Sequence, residues 1–150
     1  MSSSWFNFVK KYIWDNESTP YHIHPQRLSR EQANKEVYFY SMFEGTLVGI
    51  VLISMMAHTY LTQDTSNLLY LGYGVSLLIS LFYLVRNKQI WFAIYSSSLP
   101  LIILIIFNFK GFHPDNTGLD KLLLSGFLTL WLIYCYRLFN ICKFYKKLKH

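Results

Sequence analysis

The chain has 150 residues, of which 53% are hydrophobic and only 15% are charged, against about 25% charged residues in an ordinary soluble domain. Its net charge of +6 is of the sign that binds nucleic acid, but the Lys and Arg residues flank apolar stretches instead of forming one patch. The composition therefore argues against a soluble nucleic-acid-binding domain and predicts an integral membrane protein.

The amino-terminal arm, residues 1–36, is polar and aromatic. Its segment 5–14 is too short to cross a bilayer, and its aromatic residues fall on one helical face with the lysines away from it. This pattern is typical of a short amphipathic helix at the membrane interface. The expected interfacial anchors are Trp5, Phe8, Lys10, Lys11 and Trp14. Pro20 and Pro25 then predict an extended segment.

Four apolar stretches follow, each close to the roughly 20 residues that a transmembrane helix needs. They cover residues 37–61, 67–85, 90–109 and 119–142. The sequence thus predicts an all-α, polytopic fold with four transmembrane helices. Its parts are the arm 1–36, a four-helix transmembrane domain 37–142 and a basic tail 143–150.

Two capping-box patterns mark helix starts. Ser29 with Gln32 begins a helix that runs through a polar first turn into the first apolar stretch, and Thr117 with Asp120 begins the last one. Within the third stretch, Pro100 follows three serines whose hydroxyls can satisfy freed carbonyl groups, which predicts a local bend.

Orientation follows from the Lys and Arg residues, which concentrate in the arm, in the 86–89 turn and in the tail. The 62–66 loop has none and the 110–118 loop has Lys110 alone. The positive-inside rule then predicts that both termini are cytoplasmic. A glycosylation sequon in the arm falls on that cytoplasmic side, which favours a bacterial inner membrane over the eukaryotic secretory route.

Glu44 and Arg137 are charged residues inside apolar stretches, where a lone charge costs about 2.5–3.5 kcal/mol. Measured from the ends of their stretches, they lie at similar depth, so the sequence predicts an ion pair between the first and fourth helices. A proton-handling or ligand-binding role for Glu44 is the alternative. Gly45 and Gly49 have the spacing of a helix-packing motif.

The histidines do not complete a metal site. His22 and His24 share a face in extended chain, but no Cys or carboxylate cluster supplies further ligands. His58 and His113 are placed near the outer surface, where an interfacial role is favoured over haem or metal ligation. No phosphate loop or nucleophile motif occurs. No cofactor is predicted, and bound lipid is expected.

The chain also resembles a group of uncharacterised small inner-membrane proteins of alphaproteobacteria. The resemblance rests on Thr19-Pro20-Tyr21, Pro25, Arg27-Leu28, Gln32-Ala33, Glu36 and Gly111-Phe112-His113-Pro114. It covers most of the chain and implies four spans, without implying an activity.

The predicted function is that of a non-catalytic accessory or assembly subunit of a larger inner-membrane complex of respiratory or ATP-synthase type. Its partners would be other integral membrane subunits, as in a respiratory supercomplex, together with membrane lipids and no nucleic acid. One alternative is a small oligomeric proton or ion transporter or channel that uses Glu44. A second is a haem- or quinone-binding membrane protein that uses His58. Mild-detergent purification distinguishes these classes by what accompanies the chain.

Overall fold

The computed structural model describes residues 21, 23–63, 65–111 and 117–148. The predicted interfacial anchors Trp5, Phe8, Lys10, Lys11 and Trp14 lie outside these residues, as do His22 and His113. The helices are α1 (Arg30–Thr62), α2 (Leu68–Asn87), α3 (Ile90–Ser96), α4 (Ser98–Lys110) and α5 (Gly118–Phe144). Short 3-10 helices cover Pro25–Arg27, Thr65–Asn67 and Tyr145–Lys147.

The described part of the chain is all-helical, and it contains four helical segments that are long and apolar enough to cross a membrane. These segments are α1, α2 with the turn before it, α3 together with α4, and α5 with the turn after it. Their outer surfaces are strongly apolar, with large side chains such as Ile53, Leu69 and Phe109 mostly exposed. Such a surface fits a protein surrounded by lipid.

Both predicted capping boxes are confirmed. The Ser29 backbone N–H donates to the Gln32 side chain at 2.9 Å, and the Gln32 N–H donates back to Ser29 Oγ at 3.2 Å. Thr117 N–H donates to Asp120 Oδ2 at 2.9 Å, and Asp120 N–H donates to Thr117 Oγ1 at 3.3 Å. The helices α1 and α5 therefore begin where free backbone N–H groups find side-chain acceptors.

The predicted bend in the third segment is a helix break at Ser97, between α3 and α4. Pro100 lies in the first turn of α4, where a missing backbone N–H removes no helical hydrogen bond. Ser97 Oγ donates to the Ala93 carbonyl at 2.7 Å and Ser98 Oγ donates to the Tyr95 carbonyl at 2.6 Å. The serine hydroxyls thus satisfy carbonyls at the end of α3.

The helices pack in chain order. Contact is most extensive between α1 and α2, continues from α2 to α3, and joins both α3 and α4 to α5. By contrast, α1 and α5 touch sparsely. One end of the bundle, which we call the basic end, carries Arg30, Arg86, Lys88, Lys143, Lys146 and Lys147. At this end α1 begins, α2 ends, α3 begins and α5 ends.

The closest glycine contact between helices lies at Gly74 of α2. A Cβ placed there would come within 2.6 Å of Leu52 Cδ2 on α1. The predicted packing glycines are less critical, because a Cβ on Gly45 would meet Leu81 at an ordinary 3.9 Å and a Cβ on Gly49 would meet nothing within 4 Å. Gly49 is therefore not a close-packing position among the described residues.

Candidate functional site

A buried ion pair joins α1 to α5 near the basic end. The Arg137 guanidinium donates to Glu36 Oε1 from Nη2 at 2.8 Å and from Nε at 3.1 Å. The Glu36 side chain is 0% exposed and that of Arg137 is 17% exposed. Arg137 Nη1 also donates to the Ile23 carbonyl at 2.8 Å. One guanidinium therefore joins the two helices and the chain segment at Ile23.

The partner of Arg137 is Glu36 and not Glu44, which corrects the ion pair predicted from the sequence. That prediction measured depth from the start of the apolar stretch at residue 37 and treated Glu36 as lying outside it. Measured from the helix ends, Glu36 is six residues into α1 and Arg137 is seven residues before the end of α5, so these two are level. Glu44 lies eight residues further along α1, or about 12 Å deeper.

Glu44 is enclosed in the bundle, and its carboxyl makes no hydrogen bond of good geometry with the described residues. The residue is 0% exposed, and neither carboxyl oxygen has a hydrogen-bond partner within the described part of the chain. Tyr40, one turn earlier on α1, lies beside the carboxyl, and its hydroxyl interacts with it. The same hydroxyl lies 3.2 Å from Cys135 Sγ on α5. The buried hydroxyl of Ser41 likewise has no hydrogen-bond partner there.

Glu36, Tyr40 and Glu44 form a buried stripe along α1. They are four residues apart, so successive side chains lie on one face of the helix, and each residue is at most 1% exposed. The next buried positions on this face are the apolar residues Val48 and Leu52. We call the three residues the acidic stripe. It begins at the basic end and stops near the middle of the bundle.

An aromatic groove of about 510 Å³ lies between α1 and α5. Its walls are aromatic except for Leu130, and the lining residues are Tyr21, Phe39, Tyr40, Phe43, Phe127, Leu130, Trp131 and Tyr134. The Tyr40 and Tyr134 rings stack with centroids 5.8 Å apart, and Phe43 meets Trp131 edge-on at 5.6 Å. These ring contacts fix the shape of the walls.

The groove reaches the middle of the bundle. Trp131 is the central residue of α5, and Phe43 is close to the centre of α1. Aromatic belts at the two membrane surfaces are the usual place for Trp and Tyr in membrane helices. Aromatic walls at mid-depth require a different explanation, and bulky aromatic residues are the type enriched where proteins bind each other.

The histidines in the described residues stand apart from both features. His58 is exposed at the far end of α1, with its Nδ1 3.5 Å from Asn67 Nδ2. His24 Nδ1 accepts from the Gln26 backbone N–H at 3.4 Å and caps the first 3-10 helix. The described residues contain no group of three His, Cys, Asp or Glu side chains that could hold a metal ion. Haem or quinone binding through His58 stays a prediction.

The sequence interpretation missed Glu36 and the groove, although signals for both were present. Phe39 with Phe43, and Phe127 with Trp131, are aromatic pairs four residues apart, which places each pair on one helix face. Glu36 precedes Tyr40 and Glu44 with the same spacing. The spacing does not predict the relative height and rotation of α1 and α5, which bring these two faces together.

Comparison with known proteins adds no relative: no protein-family model, no curated protein and no solved structure matches the chain. The resemblance to small alphaproteobacterial membrane proteins is therefore untested and stays a prediction. The acidic stripe and the aromatic groove are the candidate functional features of the described residues.

Proposed function

We propose that the chain is a polytopic protein of the bacterial inner membrane with both termini in the cytoplasm. The four apolar helical segments support the membrane location. An even number of crossings returns the chain to the side where it started. The basic end gathers Arg86 and Lys88 with the lysines that follow α5, and the positive-inside rule assigns this end to the cytoplasm.

Reporter fusions test this orientation. Fusions after residues 64, 88, 115 and 150 are expected to report outside, inside, outside and inside, because the basic connections resist translocation. Paired reporters that are active on opposite sides of the membrane give the readout. A periplasmic carboxyl terminus would contradict the assignment.

Within that membrane, the proposed role is that of a non-catalytic accessory or assembly subunit of a larger complex of respiratory or ATP-synthase type. The observation that carries this proposal is the aromatic groove between α1 and α5. Its occupant would be a transmembrane helix of a neighbouring subunit, inserting bulky side chains between Phe43 and Trp131. Packing of this kind is what drives association between helices inside a bilayer, where the hydrophobic effect is absent.

A partner helix suits the groove better than an acyl chain does. The walls are held in place by ring contacts, and fixed walls favour an occupant of fixed shape. In addition, Tyr21 of the arm forms part of the wall, with its ring 6.2 Å from that of Tyr134. Because Arg137 holds the Ile23 carbonyl, the described end of the arm, at Tyr21 and Ile23, adjoins the groove.

The test is purification in mild detergent of the wild-type chain and of a Leu130→Trp variant. Leu130 is 68% exposed in the groove wall, so tryptophan there fills the groove without leaving a cavity. We expect larger subunits to accompany the wild-type chain and to be reduced about tenfold or more with the variant, a loss of about 1.4 kcal/mol or more in binding. Quantitative mass spectrometry of the eluate is the measurement.

The matched control is Val75→Trp, which adds a similar bulk at an exposed position on α2, outside the groove. It should retain the accompanying subunits. If the wild-type chain purified alone, or if both variants behaved alike, the groove would not be the contact surface.

A further inference from the structure

The buried carboxyl of Glu44 has no role in the proposed contact surface. It is near the middle of α1, fully enclosed, and does not line the aromatic groove. An ionised carboxylate in that position would be very unfavourable, because it has left water and gains from the described residues no positive charge and no hydrogen bond of good geometry, only the interaction with the Tyr40 hydroxyl. Something must therefore neutralise the group in the folded protein.

Among the residues that the structure describes, the groups next to Glu44 do not supply a positive charge. On α1 the neighbours are Tyr40 and Ser41, and Cys135 on α5 and Tyr73 on α2 lie within electrostatic range. Each of these side chains is neutral at neutral pH. Arg137 forms its ion pair with Glu36, which lies about two helical turns nearer the basic end than Glu44. The ligand that neutralises Glu44 is therefore a small cation or a proton.

The number of oxygens distinguishes these two ligands. A hard cation such as Ca²⁺ takes about six to eight oxygen ligands. Here the buried oxygens without a hydrogen-bond partner are the two carboxyl oxygens of Glu44 and the Ser41 hydroxyl, among the described residues around the site. A proton needs one carboxyl oxygen and removes the charge completely.

We propose that Glu44 is a proton-binding site that faces the basic end of the bundle and is held as a neutral carboxylic acid. The acidic stripe gives the direction of access, because Tyr40 lies on it between Glu36 and Glu44 and interacts with the Glu44 carboxyl. On the other side, Val48 and Leu52 are buried apolar residues. When the Glu44 proton exchanges with solvent along this route, the Tyr40 hydroxyl accepts one proton and releases its own, so that it ends unchanged. This inference does not depend on the aromatic groove or its partner.

Infrared spectroscopy of the full chain in liposomes at neutral pH tests the proposal. We expect the wild-type protein to show the C=O stretch of a protonated carboxylic acid, with a downshift in D₂O. Glu44→Gln should abolish that band, because glutamine copies the shape of the neutral acid without its proton. Glu31→Gln is the matched control, because Glu31 is an exposed carboxylate on the same helix, and it should retain the band. Absence of the band from the wild-type protein, or its persistence in Glu44→Gln, would overturn the proposal.

A second measurement uses the unaltered chain and does not depend on the folding of a variant. Dicyclohexylcarbodiimide is apolar and reacts with protonated carboxyl groups, adding across the acid to leave a stable acylurea. Peptide mass mapping should find the adduct on Glu44 and not on Glu36. Modification of Glu36 alone would contradict the assignment.

The access route has its own test in Tyr40→Phe. This variant keeps the ring and its stacking on Tyr134 but lacks the hydroxyl. Exchange of the Glu44 proton for deuterium, followed as the shift of the same infrared band after transfer to D₂O, should become several-fold slower. Unchanged exchange would show that Tyr40 is not on the route.

Discussion

Replacing Glu36 with leucine is expected to lower the free energy of unfolding by about 3–5 kcal/mol, since removal of one partner strands the other charge in an enclosed site. The Glu36 carboxyl is completely buried and accepts hydrogen bonds from two guanidinium nitrogens of Arg137. The same substitution also loosens the arm, because Arg137 is oriented toward the Ile23 carbonyl by this pair. Denaturation in detergent measures the loss.

A double-mutant cycle with Arg137→Leu isolates the interaction. The double variant should lose less stability than the sum of the two single variants, because it leaves neither charge stranded. Glu31→Ala is the control: Glu31 forms an exposed pair with Lys35 on the same helix, at 2.9 Å, and its removal should leave stability nearly unchanged. Additive losses for Glu36 and Arg137 would show that the pair does not join α1 to α5.

Substituting Gly74 with valine is expected to cost about 1–3 kcal/mol by overpacking the contact between α1 and α2. A Cβ at this position would meet Leu52 Cγ at 3.0 Å as well as Cδ2 at 2.6 Å, so that the whole buried leucine side chain must move. Gly72→Val is the control, because it lies on the same helix with nothing within 4 Å of its Cβ position. Equal losses for the two variants would mean that the contact with Leu52 does not set the cost.

The helical segments and their starts were predictable because the signals are local. Runs of apolar residues near the length of a membrane crossing define the segments, and Ser29 with Gln32 and Thr117 with Asp120 satisfy backbone groups within one turn. The break near Pro100 is local in the same sense. Each of these features depends on residues that are close together along the chain.

Pairing between helices was not predictable in the same way, because it depends on register. The sequence assigned Arg137 to Glu44, and the structure pairs it with Glu36 two turns earlier on the same stripe. To decide which carboxylate on this face of α1 pairs with Arg137, one must know the height of α1 relative to α5. Likewise, the glycine that limits the distance between helices is Gly74 and not Gly49, since only packing shows which backbone meets a neighbour.

The aromatic groove illustrates the same limit. Aromatic residues spaced four apart on α1 and α5 were visible in the sequence, but their number alone is ordinary for a membrane protein with interfacial belts. In the structure, Phe43 and Trp131 are in contact near the middle of the bundle, and Tyr21 lies against the same wall. An interfacial belt does not explain aromatic residues in that position. The function argued from this surface therefore depends on tertiary structure.

The most direct test of that function is photo-crosslinking in intact membranes. A photoreactive phenylalanine derivative at Leu130 places the probe in the groove wall, and the same probe at Val75 places it on an exposed face of α2 at a similar distance from the basic end. We predict crosslinks from position 130 to one discrete membrane-protein partner, and none to that protein from position 75. Crosslinks only to lipid from position 130, or the same products from both positions, would contradict the proposal that the groove binds a neighbouring subunit.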